Sequence, residues 1–509
     1  MDSTAAAGRS ASGIAHELDF ASALAAAEAI RAKRVSSVEL TRHVFECIDR
    51  FNPAINAFAY QLRESALAQA MKADGALARG ESLGVFHGVP VSVKESFAVE
   101  GRPATWGIPA FKDSRAARNS AVVDRLLGAG AVLIGATNVP VDLHDWQSYN
   151  PMYGQTNNPY DGMRSPGGSS GGSAAALAAG FGFLSVGSDI GGSIRVPSSF
   201  CGIYGHKPTL DLVSQRGHQP GGNHAAPGFS TLLAVAGPMA RSAPDLLAAL
   251  KVMGGPDGWD AKAWKWELPA ARAASLKDVR VGYVIDDPIA PPTPEVGAVL
   301  AKTIDALGRA GAKLKPGWPA GYQAGALLET YCFLLSAFGA SMAPPGAPQE
   351  NPQAPANPAD PFEAGACATF REWQQKNLRR LAYRAQWQAY FGEVDVFLSP
   401  VTFAPAFPHD HSEPQSQRKI PTGAEPRKYM EMLNWIAHAT LTGCPATSAP
   451  VGFAPDGLPV GIQIMGPYGE DATPIAFAEL LAREMGGFSP PPGYASGSSE
   501  GLACTSAGR

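Results

Sequence analysis

The chain has 509 residues, 45% of them apolar, which is enough to bury a large core and excludes disorder as its main state. Its 41 basic and 45 acidic residues give a formal charge of -4 and are spread without long blocks, leaving no electrostatic footprint for nucleic acid. No run approaches the roughly 18 uninterrupted apolar residues of a membrane span, and the start, MDSTAAAGRSASG, has no basic region followed by an apolar core; the expectation is a cytoplasmic protein acting on small neutral molecules.

Residues 1–19 read as a flexible N-terminus. From residue 20 to 80 the pattern is helical: Leu24, Ile30, Val38, Leu40, Val44 and Ile48 recur near a 3.6 period, and Ser36 or Ser37 can cap the second segment. At HGVPVSVKESF the alternation of Val and Ser predicts a strand, followed by a helix through SAVVDRLLGAG and a strand in AVLIGAT. Strand and helix alternate again through VRVGYVIDD, a helix from about Pro294 to Ala310, and VDVFLSP. This predicts an α/β fold: one large domain over residues 20–488, with a central mixed, largely parallel sheet covered by helices on both faces. Residues 343–361, APPGAPQENPQAPANPADP, can be neither helix nor central strand and are expected as a surface loop. Two apolar runs around Pro455-Asp456-Gly457 predict a hairpin, Thr473-Pro474 opens a helix closed by Gly486, and residues 489–509 read as a disordered tail. The six cysteines lie far apart with no C-x-x-C pair, which argues against a disulfide framework or a structural zinc site; no metal or cofactor is expected.

Residues 166–180, PGGSSGGSAAALAAG, have the composition of a flexible linker. A second Gly/Ser cluster, VGSDIGGSIRVPSSFCG, follows after an apolar strand-like segment, and a spacer has no reason to be followed by another. Glycines beside a serine let backbone N–H groups converge on a developing oxyanion, so Gly191 and Gly192 before Ser193 point to an anion cradle next to a hydroxyl. The hydroxyl needs a base. Gly167-Gly168-Ser169-Ser170-Gly171 also fits the G-x-S-x-G elbow of a histidine-dependent hydrolase, with His409, His411 and His438 late enough in the chain to serve, but no triad acid is marked. The other candidate is Lys94: on an apolar, central strand it shares a face with Ser92, and burial there would lower its pKa enough to supply a neutral amine.

The segment from Gly167 to Ser198 resembles the amidase signature, with GGSSGG, then small and apolar residues, then GSDIGGSIRVPS; Ser169 and Ser193 stand twenty-four positions apart. The resemblance extends to HGVPVSVKESFAVEG, GATNVPVDL, YGQTNNPYD, CGIYGHKPT and GLPVGIQIMGP, and so covers most of the chain. It is weakest in residues 315–440 and the tail. Members of that family use a serine, a second serine held by a cis peptide bond, and a lysine. The resemblance implies that Ser193 is the nucleophile, Ser169 the bridging serine and Lys94 the base, with the backbone N–H groups of Ile190, Gly191, Gly192 and Ser193 as the oxyanion hole. Ser170 would prop the triad, Asp189 and Arg195 would fix the loop as a pair, and Leu143, with Trp146 and Tyr149 close by in sequence, falls where members line the acyl pocket. The implied catalytic core spans residues 81–250 and the implied variable substrate-pocket region residues 315–440. The expected activity is hydrolysis of small aryl or aliphatic amides, with esters or carbamates (urethanes) passing through the same oxyanion, by a monomer or homodimer. The alternatives are the glutaminase subunit of a tRNA-dependent amidotransferase and a non-enzymatic binding relative.

Overall fold

The computed structural model describes residues 15–222, 230–342, 357, 359–423 and 425–494. Three helices open the fold: α1 (Ala23–Arg31), α2 (Ser37–Ile55) and α3 (Arg63–Ala78). Ser36 begins α2 with a capping box, its side chain accepting from Glu39 N–H while Glu39 accepts from Ser36 N–H. The layer is not purely helical, because β1 (Phe58–Gln61) lies between α2 and α3 and forms one edge of the sheet.

The remaining strands of that sheet are β2 (Pro90–Lys94), β3 (Val132–Thr137), β4 (Leu184–Asp189), β5 (Tyr204–Lys207), β6 (Val235–Ala240), β7 (Arg280–Tyr283), β8 (Lys313–Pro316), β9 (Val396–Pro400), β10 (Ala446–Phe453) and β11 (Pro459–Met465). They run in the order β1-β3-β2-β4-β6-β5-β10-β11-β9-β7-β8. The sheet is mixed, as expected. Parallel pairing does not prevail across it but is confined to two blocks, β3-β2-β4 and β9-β7-β8, with antiparallel ladders joining them. The physical reason is the connections. A βαβ crossover, through α4 (Ala121–Gly128) between β2 and β3, places strands parallel in the first block, whereas the tight turn between β10 and β11 at Asp456-Gly457 makes an antiparallel hairpin.

Both faces of the sheet are covered. Along β9, Val396 and Leu398 enter the larger apolar core and Phe397 between them enters an aromatic one, as a period of two requires. On the first face lie α7 (Ala243–Met253), α8 (Pro294–Arg309) and α12 (Ala472–Met485), the last closed by Gly486 in a left-handed conformation. The aromatic core is built by α9 (Ala324–Met342), α10 (Phe370–Tyr390) and α11 (Leu433–Thr442). By length and composition α9 is apolar enough to cross a membrane, although Leu327, Tyr331 and Leu334 on it are buried inside the protein.

Residues at both ends of the described chain pack against the fold. Ala15 and Leu18 are buried, and Tyr494 packs its ring 5.1 Å from that of Phe51 on α2. Aromatic and apolar anchors inside polar stretches are the reason. The Pro-rich loop at 343–361 lies outside the described residues over 343–356 and at 358.

Candidate active site

Lys94 is the last residue of β2, flanked by the parallel strands β3 and β4. Val91 and Val93 point into the apolar core, which leaves Ser92 and Lys94 on the opposite side. The lysine is fully buried, and its Nζ lies 2.7 Å from Ser169 Oγ and 2.9 Å from Ser188 Oγ. Burial pulls the amine down to about 7, against the opposing pull of the Asp189 carboxylate. Near neutral pH it is therefore available unprotonated, with a lone pair for one hydroxyl and N–H groups for the other.

The Gly/Ser segment is the reverse of a linker: every residue from Ser165 to Gly180 is buried. The Gly168–Ser169 peptide is cis. A Cβ at Gly168 would sit 2.4 Å from Asp145 O, so glycine is needed for the backbones to approach this closely. The short helix α5 (Gly171–Ala178), made of small residues, follows and packs against the sheet. Ser170 hydrogen-bonds at both ends: its N–H donates to Ser193 O at 3.2 Å, and its hydroxyl donates to Ser188 O at 3.4 Å.

Ser193 lies between β4 and the helical turn α6 (Arg195–Phe200). Exposure is 6% at Ser193, 1% at Ser169 and none at Lys94, so Ser193 is the most accessible of the three. Asp189 and Arg195 clamp the loop beneath it. Arg195 Nε and Nη2 donate to the two carboxylate oxygens at 3.0 and 2.8 Å, and Asp189 also accepts from the N–H groups of Gly192, Ile194 and Arg195. Burial opposes ionisation of Asp189, but the Arg195 guanidinium, the nearby Lys207 and the Ile194 N–H together outweigh it and hold the carboxyl below its ordinary range.

Two of the loop carbonyls are held by side chains from elsewhere. The Tyr331 hydroxyl donates to Ile190 O at 2.8 Å, and the Trp146 indole N–H donates to Gly191 O at 2.7 Å. A trans peptide directs its C=O and N–H to opposite sides, so fixing Ile190 O turns the Gly191 N–H the other way. The next peptide is held at both ends, by Trp146 at its carbonyl and by Asp189 at the Gly192 N–H, 3.0 Å away. Of the four N–H groups expected in the oxyanion hole, that of Gly192 is thus committed to Asp189. Gly192 itself has φ +87°, and a Cβ there would come within 2.9 Å of both Ile436 and Val196.

The other expected residues are placed as follows. Leu143, itself half-buried, closes an otherwise exposed turn with φ +57°. Trp146 is 6% exposed and supports the loop through its N–H. Tyr149 stacks on His411 at 3.5 Å and accepts from Arg418. His438 is buried beside Tyr322, whose hydroxyl is 2.6 Å from its Nδ1, and burial lowers its pKa to about 3. The hydrogen-bond partner of Ser169 Oγ among the described residues is Lys94 rather than any of the late histidines. Sequence reasoning missed Ser188 and Tyr331. Strand alternation could not have found Ser188, because two positions from the core residue Val186 it falls on the face opposite Ser185 and Ser92; Tyr331, 141 residues from its partner, gave no local signal.

A family model described as Amidase matches residues 39–474, and the chain belongs to the amidase signature family. It is 31% identical over 472 residues to an indoleacetamide hydrolase from Bradyrhizobium diazoefficiens, covering 91% of this chain and 86% of that protein. It is also 31% identical over 462 residues to a glutamyl-tRNA(Gln) amidotransferase subunit from Cyanothece sp., covering 85% and 92%. The crystal structure of a bacterial aryl acylamidase of the same family superimposes with a TM-score of 0.77 at 25% identity, covering 94% of this chain and 98% of that one. The protein is an amide hydrolase of this family.

Proposed function

We propose that the chain is a stand-alone serine hydrolase that cleaves the C–N bond of small aryl or aliphatic amides through an acyl-enzyme on Ser193. The observation that carries this reading is the 2.7 Å contact between a fully buried lysine and Ser169, next to the glycine loop that bears Ser193. Neutral Lys94 takes the Ser169 proton as Ser169 takes that of Ser193, and Ser193 Oγ attacks the carbonyl carbon. The N–H groups of Ile190, Gly191 and Ser193 receive the oxyanion, Gly192 being engaged by Asp189. As the tetrahedral intermediate collapses, Ser169 passes the proton to the leaving amine and is reprotonated by Lys94. Water repeats the sequence on the acyl-enzyme. Esters and carbamates form the same tetrahedral oxyanion and are expected as further substrates.

A panel of anilides, primary amides, carbamates and glutamine tests the reading. Anilide hydrolysis by the isolated chain is expected, with Ser193→Ala lowering turnover by about 10⁴-fold or more while the fold is retained. A Ser193→Ala protein with near-normal anilide turnover would sink the proposal. The similarity to the amidotransferase component favours a second reading, as a glutaminase acting only within a complex. Preference for glutamine over anilides, together with co-purification of transamidation partners, would establish it.

A further inference from the structure

Three donors outside the active site, from His16, Asp19 and His43, come together at the N-terminal end of the fold, with the Cys47 thiol beside His43. His16 and Asp19 lie on a single turn, the Asp19 N–H donating to His16 O at 3.3 Å. His43 and Cys47 lie one turn apart on the same face of α2. His43 Nε2 is in hydrogen-bond contact with Asp19 Oδ1 and stands 3.7 Å from Cys47 Sγ. A ligand atom from each of His16, Asp19 and His43 lies within 4.8 Å of the others, and the two imidazoles meet edge to face at 4.5 Å.

We propose that His16, Asp19, His43 and Cys47 bind a divalent first-row transition metal ion of the zinc class, which clips residues 15–22 onto α2. The ligand pattern is two short pairs, H-x-x-D and H-x-x-x-C, brought together from two segments, and imidazole, carboxylate and thiolate are each zinc ligands. Tetrahedral bonds of about 2.0–2.1 Å to nitrogen and about 2.3 Å to sulfur place those two ligand atoms about 3.6 Å apart, close to the spacing of Cys47 and His43. Two nitrogens, one carboxylate and one thiolate suit zinc, cobalt or nickel, whereas calcium and magnesium take oxygen donors. Outside the cluster, Glu46 Oε2 is 4.0 Å from His43 Nδ1, on the side where an outer carboxylate orients a metal-bound imidazole. Asp19 and His43 are buried while His16 is exposed, which gives an ion a route in. A plain His43–Asp19 ion pair needs neither His16 nor Cys47. Neither the turn nor α2 carries Lys94, Ser169 or Ser193.

The test uses the full chain, stripped with a chelator and titrated with Zn²⁺ alone or Co²⁺ alone. The expected result is one equivalent bound, a Tm that climbs with Zn²⁺ concentration, and a tetrahedral Co²⁺ spectrum with a thiolate charge-transfer band. The band should disappear in Cys47→Ser. His16→Ala, which changes an exposed side chain, should weaken binding by at least the roughly 10–100-fold that loss of an outer partner costs, with anilide hydrolysis unchanged. Absence of binding by the wild type, binding in His16→Ala as tight as in wild type, or a Co²⁺ spectrum lacking the thiolate band would overturn the proposal.

Discussion

Lys94 is a cation placed where a cation is costly, and that cost is what makes it useful. Burial holds it near 7, so its proton is lost in the range where the enzyme would work. The sign follows directly: the base must be neutral, so kcat/KM for an uncharged anilide should fall as pH drops below about 7 and level off above it. Replacing both His409 and His411 should leave that limb in place; a limb that moved or vanished in the double variant would return the base role to a histidine. The candidate residues could be read from the sequence because their chemistry restricts the choice of residue: a lysine in an apolar strand and serines among glycines have few structural explanations. Residues that act on these through backbone carbonyls carry no such mark. Trp146 reads as a pocket aromatic, yet its N–H supports Gly191.

At the scale of elements, strand and helix positions follow from periodicity, and β2, β3, β9 and the β10–β11 hairpin lie where alternation and turn residues place them. Strand neighbours do not follow from it, since a period of two says which face a residue takes and nothing about which strand lies alongside. The antiparallel middle of the sheet and the four-residue edge strand β1 were hidden for that reason. The same holds for α9, a helix of the weakly matching region that reaches the Ser193 loop through Tyr331. If its hydroxyl aligns the Gly191 N–H, Tyr331→Phe should lower kcat by about tenfold, below the 10²–10³-fold cost of deleting an oxyanion donor itself. KM and the pH limb should stay nearly unchanged. A rise in KM with kcat intact would mean that Tyr331 contacts substrate instead.

For the whole molecule, the candidate catalytic side chains all precede residue 200, but the loop that presents Ser193 is anchored on the far half of the chain. Arg195 donates to Ile436 O, Thr440 Oγ1 and Gln463 Oε1 as well as to Asp189, fully buried throughout. Arg195→Met would remove the ion-pair partner of the buried Asp189 and should cost about 3–5 kcal/mol in denaturant unfolding. A loss under about 1 kcal/mol would show that the clamp matters little to stability. Which serine attacks and which relays the proton is decided by mapping a covalent adduct. The protein is incubated with a fluorophosphonate or a slowly deacylating carbamate, digested, and the labelled peptide identified by mass spectrometry. A single adduct on Ser193 is expected, absent in Ser193→Ala and formed far more slowly in Lys94→Ala. A label on Ser169, or one that survives in Ser193→Ala, would contradict the assignment of Ser193 as nucleophile.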